Sequence, residues 1–489
     1  MVETFRQRIF RSRLLTQSGL YLVGQLFQKA TSFLLIPVWT YYLVPADYGI
    51  VGTMAAYSNL LHIVLMLGIY GAVVRHLYEV NKEPEEQRSY VFSNFLFLSV
   101  FSGVVLVGLA IFGGRWWDVV SSGSIPFRPI VVLTLLSIWT GMISRMLFEL
   151  YQAQRRALTY VAMEGMAFGL SVSLGLTFVA GYKMGAYGQI LGGFIAQVLM
   201  MIVAVVLLFR NWFTTRLAWR HVGDALSFGL PFVPHLLSAW ALTFVDRIML
   251  EHFVPLRDVG FYNLGYNLGM GMLVLVTSIN QAYQPYYYGL MSSDPAGAES
   301  KILRIVSFYI AGLGLITLAG SLFAGEVIRV LTPEKYQHAA VFVPPILLSY
   351  LLVGLYYFVG SPLFYFKRTK LLPVITGTAA VINILLNYFL IPRYGAIAAA
   401  WTTLASYGVM LGIYYVVAQR ISPLKYRLDK YGILLGILLA VVIFVSPAFD
   451  ISAGKLVVKL TICGIFAALA YILLIRQYFP ALSRTKENA

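Results

Sequence analysis

The chain has 489 residues, of which 59% are hydrophobic and only 11% charged, with a mean hydropathy of +0.78. Soluble globular domains carry roughly 25% charged residues, so a soluble enzyme is excluded. The formal charge of +16 reads as a topology signal and an attraction to anionic lipid rather than as a nucleic-acid footprint. The single cysteine, Cys463, excludes an intramolecular disulfide and a cysteine metal cluster.

Apolar stretches of the roughly 20 residues needed to cross a bilayer recur along the whole chain. They predict spans at 14–42, 47–74, 91–112, 130–149, 158–181, 186–209, 224–250, 260–290, 302–324, 340–364, 371–391, 396–418, 430–447 and 457–475. Arg6, Arg8, Arg11 and Arg13 precede the first stretch as they would in a secretory signal. That stretch is too long and contains Gln25, Gln28 and Lys29, so a retained first helix is expected. One set of alternate loops, with the span ends beside them, holds 25 Lys and Arg, and the other set holds 8. By the positive-inside rule both termini are expected in the cytoplasm.

The chain repeats itself at a spacing of about 210 residues. Leu43-Val44-Pro45-Ala46-Asp47-Tyr48-Gly49 joins the first two spans, and Phe253-Val254-Pro255-Leu256-Arg257-Asp258-Val259-Gly260 joins the seventh and eighth. Met184-Gly185-Ala186-Tyr187-Gly188 is matched by Arg393-Tyr394-Gly395-Ala396. Six spans per copy give both copies the same orientation, the parallel-repeat plan of many transporters. The expected fold is an all-α polytopic membrane protein of about fourteen transmembrane helices. Two six-helix lobes, 1–212 and 213–420, form a parallel pseudo-symmetric repeat, and an added helix pair and tail occupy 421–489.

Polar side chains inside spans normally face protein or water. Gln25 and Lys29 lie on one face of the first span, and Asn59 and His62 are a turn apart in the second. Asn263, Asn267, Thr277, Gln281 and Gln284 form a stripe in the eighth; Tyr350, Gly354, Tyr357 and Ser361 align in the tenth, and Asn383 and Asn387 in the eleventh. Each stripe alone could be helix–helix glue; stripes in both halves point to a shared cleft. Lys29, a cation near mid-span where insertion costs about 3 kcal/mol, suits an anionic cargo. Arg75 and Arg145 sit at helix ends and can snorkel. Asp246 and Arg247 point about 100° apart on a helix, so each is expected to meet another helix as a gating latch. Glu164 could carry a coupling proton or partner Arg155 or Arg156. Tyr283, Tyr286, Tyr287 and Tyr288 fit either an interfacial belt or sugar rings. Pro231, Pro234 and Pro285 are expected to bend or break their helices.

The Asp-Tyr-Gly step, the Gly229-Leu230-Pro231-Phe232-Val233-Pro234 run, Asp246-Arg247-Ile248-Met249-Leu250, Gln281-Ala282-Tyr283-Gln284-Pro285 and the Tyr-Gly-Ala steps together give a resemblance. The chain resembles the polysaccharide transporter (Wzx-type flippase) family of the MOP superfamily over nearly its whole length. That resemblance implies a multi-pass protein of the bacterial cytoplasmic membrane. It would carry undecaprenyl-pyrophosphate-linked oligosaccharide repeat units to the outer leaflet by alternating access, alongside a polysaccharide polymerase. It implies no cofactor, with coupling to an H+ or Na+ gradient as an option and Glu164 or His62 as carriers. Lipid II flippases of the superfamily show more arginine in corresponding helices. A MATE-type cation antiporter is the rival reading, with twelve spans and an acidic site. A membrane glycosyltransferase or polymerase would need long outer loops with catalytic groups, and no P-loop, His-Glu-x-x-His or Gly-x-Ser-x-Gly pattern occurs.

Overall fold

The computed structural model describes residues 31, 33–79, 83–445 and 453–478. The described residues are helical with no strand, and twelve helical segments among them are long and apolar enough to cross a membrane. They coincide with the expected spans two to twelve and fourteen. The expected first span lies mostly outside the described residues, as do Gln25 and Lys29 on it. The thirteenth is the helix Leu428–Ala440 run on into Val441–Val445, which is not among the twelve. The chain packs as two compact units, one ending at Gly260 and the other beginning at Phe261.

In the first unit α1 (Ile36–Tyr42) precedes α2 (Pro45–Met66). Pro45 occupies the first turn of α2, where its missing N–H is not needed. The Asp47 carboxylate accepts from the Val44 amide at 3.4 Å, capping the same end. Leu67 and Gly68 then adopt left-handed conformations, φ 54° and 71°, and α3 (Ile69–Leu77) resumes beyond them. The second span is therefore two helices rather than one. The unit continues with α4 (Pro84–Phe112), α5 (Gly114–Val120), α6 (Val132–Ala153), α7 (Ala157–Leu176), α8 (Gly185–Trp212), α9 (Trp219–Gly229) and α10 (Val233–Phe253). Leu230–Phe232 forms a tight turn between α9 and α10; Pro231 and Pro234 remove two backbone donors there. This joint meets the break in the second span, since a Cβ on Gly68 would lie 2.5 Å from the Gly229 carbonyl oxygen.

The second unit holds most of α11 (Leu256–Gly269), then α12 (Gly271–Ser293), α13 (Pro295–Leu322), α14 (Ala324–Leu331), α15 (Val343–Tyr365), α16 (Leu372–Tyr394), α17 (Ala396–Ile421), α18 (Leu428–Ala440) and α19 (Ala453–Ala470). The eighth span breaks between Gly269 and Gly271 while Pro285 sits inside an unbroken α12. Asn263 and Asn267 thus belong to a different helix from Thr277, Gln281 and Gln284, and the expected single stripe is two.

Both units use one packing scheme. In the first, α6 packs on α4 and α8, and α7 on α8; in the second, α15 packs on α13 and α17, and α16 on α17. Small residues let backbones close up. A Cβ on Gly192 of α8 would lie 2.4 Å from the Gly175 amide nitrogen of α7. Gly354 of α15 leaves room for the buried Tyr309 hydroxyl of α13. Asn387 donates to Asn383 at 3.1 Å and accepts from the Thr402 hydroxyl, tying α16 to α17 through a fully buried polar cluster. The last helices pack on α13 and α14: Tyr431 meets Ser307 at 3.0 Å, and buried Lys459 pairs with Glu326.

Candidate functional site

Two carboxylates of the first unit converge on Arg145. Its guanidinium bonds Glu149 one turn along α6, at 2.9 and 3.0 Å, and Glu164 of α7 at 2.8 Å. Forked geometry is what lets one arginine serve two carboxylates. Tyr70, His62 and Tyr160 stand within its electrostatic reach. The Tyr70 hydroxyl donates to the Met142 carbonyl at 2.5 Å, and its ring meets the His62 ring edge-on at 6.3 Å. Glu164 is thus the partner of Arg145, not of Arg155 or Arg156. Two acids hold Arg145 along α6 and α7. Two carboxylates on one guanidinium leave the triad one negative charge in excess. Asn59, one turn from His62, is exposed and spends its amide on the Ala55 carbonyl at 2.8 Å.

Asp246 and Arg247, expected to point apart on their helix, meet each other. Both are buried, and Nη1 of Arg247 lies 3.0 Å from Oδ1 of Asp246. The arginine chain is long enough to curl back along α10, where Nη1 also donates to the Thr243 carbonyl at 2.7 Å. Its guanidinium sits 5.3 Å from the Phe244 ring centre.

In the second unit the candidates are dispersed. Asn267 on α11 is half-buried, Gln281 on α12 is exposed, and Gln284 lies 3.5 Å from the Tyr288 hydroxyl. Tyr357 on α15 packs against Tyr356 at 4.6 Å. Tyr283 and Tyr287 are buried, the former 4.2 Å from the Phe358 ring, so the tyrosine run divides: two members join α12 to α15 while Tyr286 stays exposed. Tyr286, Lys301, Arg304 and Phe308 line a cavity of about 630 Å³.

Sequence reasoning missed a second polar cavity, about 550 Å³, in the first unit. His76 and Tyr90 stack there at 3.7 Å with planes 6° apart, beside His221, Arg75, Arg220, Glu79, Glu86 and Asp224. The groups come from α3, α4 and α9, and no local pattern links them. The Arg145–Glu149 pair was missed too, although its i, i+4 spacing puts both on one helical face.

A family described as "Polysaccharide biosynthesis protein" matches residues 14–291. The chain belongs to that family. A relative, the Lsg locus putative protein 1 of Haemophilus influenzae, is 25% identical over 280 residues, covering 55% of this chain and 65% of the relative. The chain thus spans less than two thirds of that relative's length. Two solved structures are similar over most of their length. The lipid II flippase MurJ in an inward-closed conformation gives a TM-score of 0.72 at 12% identity, over 94% of this chain and 99% of that one. An inward-facing multidrug resistance MATE transporter of the MOP superfamily gives 0.67 at 13% identity, over 81% and 95%. This polysaccharide biosynthesis protein is a multi-pass membrane protein with the MurJ/MATE transporter fold, as its motifs implied.

Proposed function

We propose that this member of the polysaccharide biosynthesis family is a flippase for lipid-linked oligosaccharide repeat units. The carrier is undecaprenyl pyrophosphate, and the product leaflet faces away from the cytoplasm. The observation that carries this reading is the family match over 14–291 on a chain of span-length helices with the MurJ/MATE fold. The loops' 25-to-8 bias in Lys and Arg supports cytoplasmic termini and a bacterial cytoplasmic membrane. The shared packing scheme of the two units supports six-helix repeats at 1–212 and 213–420 working by alternating access, with 421–489 appended. Lys29 and the exposed Asn59 would meet the pyrophosphate while the polyprenyl tail stays in lipid. The Arg145–Glu149–Glu164 triad, with His62 in electrostatic reach of Arg145, is the place where a coupling proton or Na+ would be taken up. The chain transports and catalyses no bond change, with no cofactor and with a polymerase consuming its product.

Deletion of the gene tests this. The strain should accumulate undecaprenyl-linked repeat units on the cytoplasmic face and lose the matching surface polysaccharide. The excess of acid around Arg145 and the MATE likeness favour one other reading, a cation antiporter. Intact polysaccharide with new sensitivity to cationic dyes would select it.

A further inference from the structure

Glu251, at the end of α10, is 1% exposed. Its Oε1 receives four hydrogen bonds from one short loop: the hydroxyls of Ser121 at 2.7 Å, Ser122 at 2.8 Å and Ser124 at 2.7 Å, and the Ser122 amide at 3.2 Å. Its Oε2 is buried without a hydrogen-bond partner among the described residues. The loop follows α5 and is pinned at its base, where the Trp117 indole donates to the Ile125 carbonyl at 2.8 Å. Gly123 inside it takes φ 79°. Tyr57 of α2 stands edge-on to Trp117 at 5.2 Å and feels the Glu251 charge.

The lopsidedness is informative. A buried carboxylate kept for stability alone is normally satisfied at both oxygens, by a cation or by fixed backbone donors. Glu251 has no cation partner among the described residues, and three of its four donors are hydroxyls on a single loop. All four bonds therefore form or break together as the loop moves, and freed serine hydroxyls turn to water without cost to packing. A second tie also starts from α10: the Trp240 indole donates to the Ala56 carbonyl of α2 at 3.1 Å. All three lie in the compact unit that ends at Gly260; by the repeat boundaries expected from the sequence, α10 opens the second lobe, while α2 and the serine loop belong to the first.

We propose that Glu251 and the Ser121–Ser124 loop are the detachable latch of the outer gate, closed in this structure and opened when cargo leaves to the outside. The side assignment rests on the flippase reading and its topology. Glu251 acts here as a positioning residue: its charge gathers the donors, and losing that charge frees the loop.

The test is labelling of Asn59→Cys from outside intact cells by a membrane-impermeant maleimide, in a Cys463→Ala background. Glu251→Gln should raise labelling at least threefold. Ser121→Ala/Ser122→Ala/Ser124→Ala, which leaves Glu251 in place, should raise it equally, and Glu251→Asp should stay near the parent. Unchanged labelling in both the glutamine and triple-serine variants overturns the proposal. So does a rise confined to Glu251→Gln, or a rise that merely tracks a fall in thermal stability of the purified protein. If Glu251→Gln does not fold, the triple-serine variant decides alone. Labelling requires no cargo, so a failed flippase reading leaves this result readable, and an unlatched gate leaves the cargo question open.

Discussion

Gly49 and Gly260 meet backbone to backbone in a reciprocal contact. A Cβ on Gly49 would lie 2.2 Å from the Leu256 carbonyl oxygen, and one on Gly260 would lie 1.8 Å from the Pro45 carbonyl oxygen. The same sequence offset relates Gly49 to Gly260 and Pro45 to Leu256, so the contact maps onto itself when the two copies of the motif are exchanged. That is what a local two-fold relation between parallel repeats requires.

Alanine at either glycine must push a carbonyl aside, and neither partner is a side chain that can swing away. Gly49→Ala and Gly260→Ala should each destabilise the protein by about 1–3 kcal/mol or more. Thermal unfolding in detergent checks this, with Gly108→Ala, which meets nothing within 4 Å, as the control. Equal melting of all three variants would contradict the contact.

The Arg145 triad predicts an asymmetry. Removing Glu149 or Glu164 leaves a one-to-one pair, whereas Arg145→Ala leaves two half-buried carboxylates facing each other. Arg145→Ala should therefore lower the melting temperature well below either Glu149→Gln or Glu164→Gln. Arg145→Lys should recover only part, because an ammonium lacks the fork.

Asp246 and Arg247 should be coupled. A double-mutant cycle with Asp246→Asn and Arg247→Met, read by unfolding, should give an interaction of about 1–3 kcal/mol. A value near zero would mean that each is held by separate neighbours.

Lys459 is fully buried in α19 against Glu326, which is itself 28% exposed at the side chain. Lys459→Met should reduce folded yield, at a cost below the roughly 3–5 kcal/mol of breaking a fully buried pair. Adding Glu326→Gln should restore most of it. No recovery in the double variant would show that the lysine acts through packing on Phe323, whose ring centre lies 5.3 Å away.

Span positions were legible in the sequence because twenty apolar residues in a row admit few other structures. Gly49 and Gly260 were marked in the sequence because one motif occurs twice there. What stayed hidden depended on distance along the chain or on side-chain reach. Glu251 and its serines are separated by well over a hundred residues, and nothing local marks them as partners. Asp246 and Arg247 were read from their Cβ directions, but arginine's flexible chain overrides that geometry. Arg145 and Glu164 meet only because the turn at 154–156 brings α7 back along α6. The break at Leu67–Gly68 escaped because the apolar run continues through it, while hydropathy carries no information on φ.

The central claim is transfer of a lipid-linked, pyrophosphate-bearing oligosaccharide across a bilayer. The direct measurement is reconstitution of the purified protein into vesicles carrying that lipid with a labelled glycan, followed by enzymatic capture of glycan on the opposite face. Transfer should appear with the parent protein, without any ATP-binding partner, and should fall sharply in Lys29→Ala while Lys29→Arg retains part of it. Transfer no faster than in empty vesicles, together with protein-dependent movement of a cationic dye down an opposing ion gradient, would contradict the account.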